Sequence, residues 1–183
     1  MVIGVLALQG AVSEHQRMLQ QCGVDSILVK HQSDLTGIDG LIIPGGESTA
    51  IRKLLVREDM LENLKELVND GLPILGTCAG LILLVQSESL AGLDAKVVRN
   101  GFGRQKNSFE EPLELKGIDH DFNGIFIRAP YISEVGPEVE VLAKTDDGRI
   151  VAVREKNVLA TAFHPELTDD SSVHELFVKS IVG

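Results

Sequence analysis

The sequence has few cysteines and no long hydrophobic run. Only Cys22 and Cys78 occur among its 183 residues, so a disulfide framework is not expected, and neither lies in a cluster with zinc-site spacing. The longest apolar runs, such as LILLV, are far shorter than the roughly 20 residues of a transmembrane helix. The amino terminus lacks the pattern of a signal peptide. These absences predict a soluble cytoplasmic protein with no bound metal and no membrane partner.

Basic residues are also scarce. The 17 Lys and Arg residues stand against 27 Asp and Glu, which gives a formal net charge of −10. Nucleic-acid binding normally depends on clustered Lys and Arg, so nucleic acid is not an expected partner. The chain has no internal repeat and no Pro/Gly/Ser-rich linker, and 44% of its residues are hydrophobic. We therefore predict a single domain over residues 1–183.

Short runs rich in Val, Ile and Leu recur along the chain and alternate with helical patterns in its first half. The early runs are VIGVLAL, SILVK, GLIIPGG and LPILGTC, and the later ones are GIFIRA, VEVLA, IVAVR and VLATAFHP. The early runs predict a mainly parallel sheet, flanked by helices and buried on both faces. The closely spaced strands after about residue 94 predict an antiparallel addition. With SVHELFVKSIV as a closing helix, the sequence predicts a three-layer α/β domain.

Three loops with unusual chemistry directly follow predicted strands. They are PGGEST at Pro44 to Thr49, GTCAG at Gly76 to Gly80, and HPE at His164 to Glu166. In open α/β sheets, ligands bind beyond the carboxyl ends of the strands. We therefore expect the three loops to meet at one edge of the sheet.

The stretch PILGTCAGLILL has the strand, small-residue turn and helix order of a nucleophile elbow, with Cys78 at its centre. A thiolate at a helix amino terminus is favoured by the dipole, and the Ala79 amide can face a developing oxyanion. The flanking glycines prevent clashes in such a turn. The alternative is that Cys78 is a buried small hydrophobe, the commonest state of a free cysteine.

A thiol nucleophile needs a base, and AFHPE offers one. His164 follows a predicted strand, and Glu166 two positions later can steady its imidazole. By itself such a triplet is more often a solvated loop with a helix-capping acid. Cys78, His164 and Glu166 together favour acyl transfer, because all three follow strands that are expected to end at one edge.

The PGGEST loop and two arginines supply candidate substrate contacts. Glu47, Ser48 and Thr49 enter a helix in an arrangement typical of amino-terminal capping. The same geometry lets glycine amides face an oxyanion and lets the Glu47 carboxylate accept a substrate ammonium. Arg104 in RNGFGRQ and Arg128 in FIRAP can each bind a small carboxylate, although most arginines are merely solvated or paired at the surface.

GTCAG and HPE resemble the motifs of class I, triad-type glutamine amidotransferases, which hydrolyse glutamine to glutamate and ammonia. LALQGAVSEH, PGGEST, RNGFGRQ, FIRAP and FHPELTDD narrow the resemblance to the glutaminase subunits of the ribose-phosphate-dependent pyridoxal 5'-phosphate synthase. Their order covers nearly the whole chain. The resemblance implies a flavodoxin-like fold, a glutaminase of vitamin B6 biosynthesis and no cofactor.

The resemblance also implies a role for each motif residue. Cys78 attacks the glutamine side-chain amide, His164 accepts the thiol proton and then protonates departing ammonia, and Glu166 orients His164. The amides of Gly46 and Ala79 form the oxyanion hole. The implied contacts with L-glutamine are Gly46, Glu47, Ser48, Arg104, Ile127 and Arg128.

The family further implies a partner, a (β/α)8-barrel synthase subunit that combines ammonia with ribose 5-phosphate and glyceraldehyde 3-phosphate. The usual complex holds twelve copies of each subunit, and the glutaminase is largely latent until the synthase docks near the LQG loop, here Leu8 to Gly10. One departure is the segment 86–100, which is several residues shorter than usual. Two alternatives stay open: another cysteine hydrolase on a similar fold, and a non-catalytic binding subunit.

Overall fold

The computed structural model describes all 183 residues, and strands alternate with helices in its first half. That half contains β1 (Val2–Leu6), α1 (Val12–Gln21), β2 (Asp25–Val29), β3 (Gly40–Ile43), α2 (Ser48–Arg57), α3 (Leu61–Asn69), β4 (Ile74–Thr77) and α4 (Ala79–Val85). The second half contains β5 (Ala95–Val98), β6 (Ser108–Leu113), β7 (Phe122–Ile127), β8 (Tyr131–Val135), β9 (Glu140–Lys144), β10 (Ile150–Glu155), β11 (Val158–Thr161) and α5 (Ser172–Phe177). Short 3₁₀ turns cover Gln32–Leu35, Arg104–Lys106 and Pro165–Leu167, and a π-helical turn over Val178–Val182 follows α5.

The main sheet has a parallel core with an antiparallel extension. Its strand order is β2-β1-β3-β4-β11-β10-β8-β5, and β9 also pairs with β10. The five strands β2, β1, β3, β4 and β11 run parallel, whereas β10, β8, β9 and β5 form antiparallel pairs. Strands β6 and β7 form a separate antiparallel pair. The predicted parallel core with an antiparallel addition is confirmed.

Helices cover both faces of this sheet, as contacts of β3 show. Side chains three positions apart in a strand point to opposite faces. Gly40 faces α5, because a Cβ atom built on Gly40 would lie 3.3 Å from the Phe177 ring. Ile43 faces α4, because its Cβ atom would lie 3.2 Å from a Cβ atom built on Gly80. Helices α5 and α4 therefore lie on opposite faces, and the predicted three layers are confirmed.

Two details differ from the sequence prediction. Strand β2 is an edge strand, and Ile27 and Leu28 are each 38% exposed, so the expectation that all early strands are buried on both faces was wrong for β2. Strand β11 lies late in the chain yet runs parallel to β4. Strand β2 is exposed because an edge strand has a neighbour on only one side. Strand β11, by contrast, lies at the centre of the sheet between β4 and β10.

One continuous hydrophobic core of 44 buried residues joins the layers. None of the helices is both long and apolar enough to cross a bilayer. The predicted closing helix is α-helical only to Phe177 and continues as the π-helical turn. The division into a single domain and the cytoplasmic location stay predictions.

Candidate active site

The parallel pairing of β4 and β11 brings two of the three loops together. Thr77, the last residue of β4, lies opposite Thr161, the last residue of β11. The chain therefore leaves both strands at the same edge, toward GTCAG on one side and HPE on the other. The N–H of Cys78 donates a hydrogen bond to the carbonyl oxygen of Thr161 at 2.8 Å. This bond ties the turn at Cys78 directly to the end of β11.

Cys78 occupies a strained turn between β4 and α4. Its φ of 50° and ψ of −99° fall where residues other than glycine are uncommon. Such strain persists only where the surrounding structure imposes it, and it is concentrated at functional sites. The side chain is 7% exposed and lines a cavity of about 480 Å³. The geometry is that of a nucleophile presented at the start of a helix.

The glycines on either side of Cys78 allow this turn to pack. A Cβ on Gly76 would lie 2.5 Å from Leu84 Cδ1 and 2.9 Å from the carbonyl carbon of Gly80. A Cβ on Gly80 would lie 2.3 Å from the carbonyl oxygen of Ile43 in β3. Helix α4 therefore packs too closely on the sheet for any side chain here, which agrees with the role predicted for the flanking glycines.

His164 and Glu166 form a buried hydrogen-bonded pair beside Cys78. The backbone N–H of His164 donates to the carbonyl oxygen of Ile125 in β7 at 2.8 Å, and Pro165 begins the 3₁₀ turn that returns Glu166 to the imidazole. His164 Nδ1 lies 2.7 Å from Glu166 Oε1. Glu166 is fully buried and His164 is 8% exposed. With Nδ1 paired to the carboxylate, Nε2 is the nitrogen left for the thiol.

The environment of His164 strongly favours its protonated form. Burial acts to lower the pKa of His164, but the hydrogen bonds and charges of Cys78 and Glu166 outweigh it and raise that pKa to about 10. The imidazole therefore carries its proton at neutral pH. A protonated imidazole beside a sulfur nucleophile can deliver that proton to a leaving amine.

The PGGEST loop packs on the LQG loop at the rim of the same cavity. Glu47 N–H donates to Gln9 Oε1 at 2.9 Å, and Ala11 N–H donates to the Gly45 carbonyl oxygen at 3.2 Å. Glu47 also caps α2, because its carboxylate accepts the N–H groups of Thr49 and Ala50 at 3.0 and 2.8 Å. These bonds hold the pKa of Glu47 below its usual range. The capping predicted for this loop is confirmed.

Most of the site residues named from the sequence line the cavity of about 480 Å³. They are Gly46, Glu47, Ser48, Cys78, Ala79, Ile127, Arg128 and His164, and Glu166 lies behind His164. Arg104 is the exception, because its 3₁₀ turn places it in an adjacent cavity of about 450 Å³. Asn100 and Arg128 line both cavities.

Comparison with known proteins assigns the chain to a family. The model of the SNO glutamine amidotransferase family matches residues 5–183. The chain belongs to this family. Two relatives named pyridoxal 5'-phosphate synthase subunit PdxT come from Geobacillus thermodenitrificans, at 51% identity over 99% of this chain and 95% of the relative, and from Listeria monocytogenes, at 52% identity over 98% of each. A solved structure of a glutamine amidotransferase superposes with a TM-score of 0.91 at 43% identity, over 98% of each chain.

Some residues around the site of this amidotransferase were not identified from the sequence. Arg99 lines the cavity and lies 3.6 Å from the Glu47 carboxylate, although RNGFGRQ drew attention only to Arg104. His15 and His174 lie buried behind Glu166. LALQGAVSEH contains His15, but no sequence signal connects that residue with position 174. Only the packing of α1 against α5 makes the connection.

Proposed function

We propose that this chain hydrolyses L-glutamine to L-glutamate and ammonia through a thioester on Cys78, and that the ammonia passes to a synthase subunit that makes pyridoxal 5'-phosphate. The observation that carries the proposal is the convergence of Cys78 with the His164 and Glu166 pair at one cavity. The family description supports glutamine as the substrate, and the names of the relatives support a synthase partner.

The first half of the reaction forms the thioester. His164 already holds the thiol proton, so the Cys78 sulfur attacks the side-chain amide carbon of glutamine directly, and the carbonyl oxygen becomes an oxyanion. The amides of Gly46 and Ala79 stabilise that oxyanion. As the tetrahedral intermediate collapses, the C–N bond breaks and His164 protonates the nitrogen, which leaves as ammonia. Glu166 keeps Nε2 of His164 directed at the reacting atoms.

The second half releases glutamate. A water molecule gives a proton to His164 and attacks the thioester carbon, a second oxyanion forms, and the C–S bond breaks. The proton taken from water stays on His164 beside the freed Cys78 sulfur, which restores the starting state. No cofactor is needed, because each step moves only a proton and an electron pair between groups of the triad, glutamine and water.

The α-ammonium group of the substrate glutamine requires a carboxylate partner, and its α-carboxylate requires a cationic partner. The Glu47 carboxylate, at the cavity wall, is the proposed partner of the substrate ammonium, and Ser48 and Ile127 complete the wall. Arg128 is the proposed partner of the substrate carboxylate, because it lines this cavity whereas Arg99, the other arginine there, faces the Glu47 carboxylate at 3.6 Å. Arg104 joins it only when its side chain turns from the adjacent cavity.

The proposed partner is a (β/α)8-barrel synthase subunit, in a cytoplasmic complex with twelve copies of each subunit. Ile127 and Leu167 at the cavity are 39% and 38% exposed, and a docking synthase would cover such apolar side chains. Closing the site in this way would keep ammonia away from bulk water. The measured mass of the mixed complex tests the subunit ratio.

Glutamate release from glutamine, with and without the cognate synthase, tests the proposed function. We expect release that rises when the synthase is added and that falls at least about a thousandfold in Cys78→Ala. Cys22→Ala is the matched control, because Cys22 does not line the cavity, and it should keep full activity. Full activity of Cys78→Ala would overturn the proposal. Folded protein that binds the synthase yet releases no glutamate would be a binding subunit.

A further inference from the structure

A buried polar cluster lies directly behind the triad. Glu166, His15, Thr77 and His174 are each 0% exposed. His15 is on α1 and His174 is on α5, and their Nδ1 and Nε2 atoms lie 2.8 Å apart. The other nitrogen of His15, Nε2, lies 3.3 Å from Thr77 Oγ1 and 3.7 Å from Glu166 Oε2. The cluster therefore touches both the triad carboxylate and the residue before the nucleophile.

The second oxygen of the Glu166 carboxylate lacks a hydrogen-bond partner. Oε1 accepts from His164, but Oε2 is buried and makes no hydrogen bond. Burying a charged oxygen without a compensating donor is costly. Nε2 of His15 lies 3.7 Å from Oε2. A hydrogen on that nitrogen would supply the missing positive partner.

Two observations at opposite ends of the cluster select the same tautomer of His15. A bare Nε2 would direct its lone pair at the Glu166 carboxylate, so electrostatics place the hydrogen on Nε2. His15 Nδ1 then accepts from His174 Nε2, which leaves His174 Nδ1 without a hydrogen. That nitrogen is buried and has no partner, and a buried orphan acceptor is tolerated better than a buried orphan N–H.

Both histidines of the cluster are neutral. Burial is the largest cause that lowers the pKa of His15, with His174 and His164 adding to it, and burial lowers the pKa of His174 to about 3. A neutral His15 can orient the Glu166 carboxylate without competing with the His164 imidazolium for its negative charge. The full negative charge of Glu166 thus stays available to the His164 imidazolium.

We propose that His15 is a positioning residue of the triad, whose Nε2–H faces Oε2 of Glu166, and that His174 holds His15 in this tautomer. The inference rests on the proposed glutaminase function. His15 does not line the cavity, so it acts on the reaction only through Glu166 and Thr77. Without His15 the carboxylate is free to rotate away from His164.

The first test reads the tautomer directly, on the wild-type protein alone. Long-range ¹H–¹⁵N spectra of the imidazole rings should show His15 and His174 protonated at Nε2 and bare at Nδ1 at neutral pH. A hydrogen on Nδ1 of His15, or a charged His15, would overturn the proposal. This readout does not depend on glutaminase activity, so it stands even where the proposed function fails.

The second test compares His15 variants in the complex with the synthase. His15→Leu should lower kcat for glutamine by about 10- to 100-fold, the usual effect of losing a group that orients a catalytic one, while KM changes less than about twofold. His15→Gln should recover much of kcat, because its amide nitrogen reaches the position of Nε2, whereas His15→Asn, whose nitrogen reaches that of Nδ1, should not. Met18→Leu, a buried change on the same helix, should leave kcat unaltered.

Each outcome of these kinetics decides the question. Unchanged kcat in His15→Leu, or equal kcat in the Gln and Asn variants, would overturn the positioning role. If His15→Leu does not fold, the comparison of His15→Gln with His15→Asn still tests the positioning role. His174→Leu should lower kcat less than His15→Leu and add nothing to it in the double variant, because both act along one chain of contacts.

Discussion

At the scale of single residues, Gly45 makes room for the triad imidazole. A Cβ at this position would lie 2.3 Å from Cε1 and 2.7 Å from Nδ1 of His164. The φ of Gly45 is not positive, so alanine can adopt the backbone and the effect is a steric one. We expect Gly45→Ala to lower synthase-activated kcat at least about a hundredfold, since a displacement of about 1 Å has that effect. Steady-state glutaminase kinetics measure it.

The control for Gly45→Ala is Gly23→Ala. Gly23 has a φ of +70° and no atom within 4 Å of a built Cβ, so alanine there strains the backbone by about 1 kcal/mol without touching the site. Gly23→Ala should lose stability and keep its kcat. If Gly45→Ala kept the wild-type kcat, the imidazole position would not be essential to the reaction.

At the scale of elements, the contact between α4 and β3 sets the position of the nucleophile. Glycine to alanine normally stabilises a helix by about 1 kcal/mol. In α4 the Gly80→Ala methyl would lie 2.3 Å from the Ile43 carbonyl oxygen, and overpacking costs about 1–3 kcal/mol. We therefore expect lower stability in urea together with lower kcat, because α4 begins at the residue after Cys78.

The exposed face of α2 provides the comparison for Gly80→Ala. Val56 is 53% exposed, so Val56→Ala should change the free energy of unfolding by less than about 0.5 kcal/mol. A Gly80→Ala protein that was more stable than wild type would show that α4 can move away from the sheet at no cost.

At the scale of the whole molecule, the buried histidines connect the first helix to the last and make stability depend on pH. Burial lowers the folded-state pKa of His174 to about 3, below the value of about 6.5 in the unfolded chain. The unfolded state therefore binds more protons as the pH falls below 6.5, so stability falls with it. His164 has the opposite effect, because its folded-state pKa is raised to about 10. Its protonation stabilises the folded state, and this stabilisation is lost as the pH rises toward 10.

Urea denaturation at pH 7 and pH 5 measures the acid side of this dependence. One histidine that stays neutral in the folded state contributes a loss of about 2 kcal/mol over this interval. Wild type should therefore lose about 2 kcal/mol more than His174→Leu. Equal losses in both proteins would mean that His174 becomes protonated without unfolding.

Local patterns in the sequence predicted much of the fold and of the site. Small residues between an apolar run and a helical pattern predicted the turn at Cys78. The loops at Pro44 to Thr49 and at His164 to Glu166 were predicted because each directly follows an apolar run. Three strands were missed: β5, β6 and β8. In β6 the charged pair of Glu110 and Glu111 is followed by Pro112, which weakens any strand signal, and only pairing with β7 establishes the strand.

Turns and helix starts after the early strands were predictable from local sequence alone, because they depend on neighbours in the chain. The folded chain, by contrast, is needed to show that β11 pairs parallel with β4 and so brings His164 to Cys78. It alone placed Arg104 in the adjacent cavity and joined His15 to His174 across 159 positions. Such contacts depend on strand order and helix packing, which no local pattern encodes.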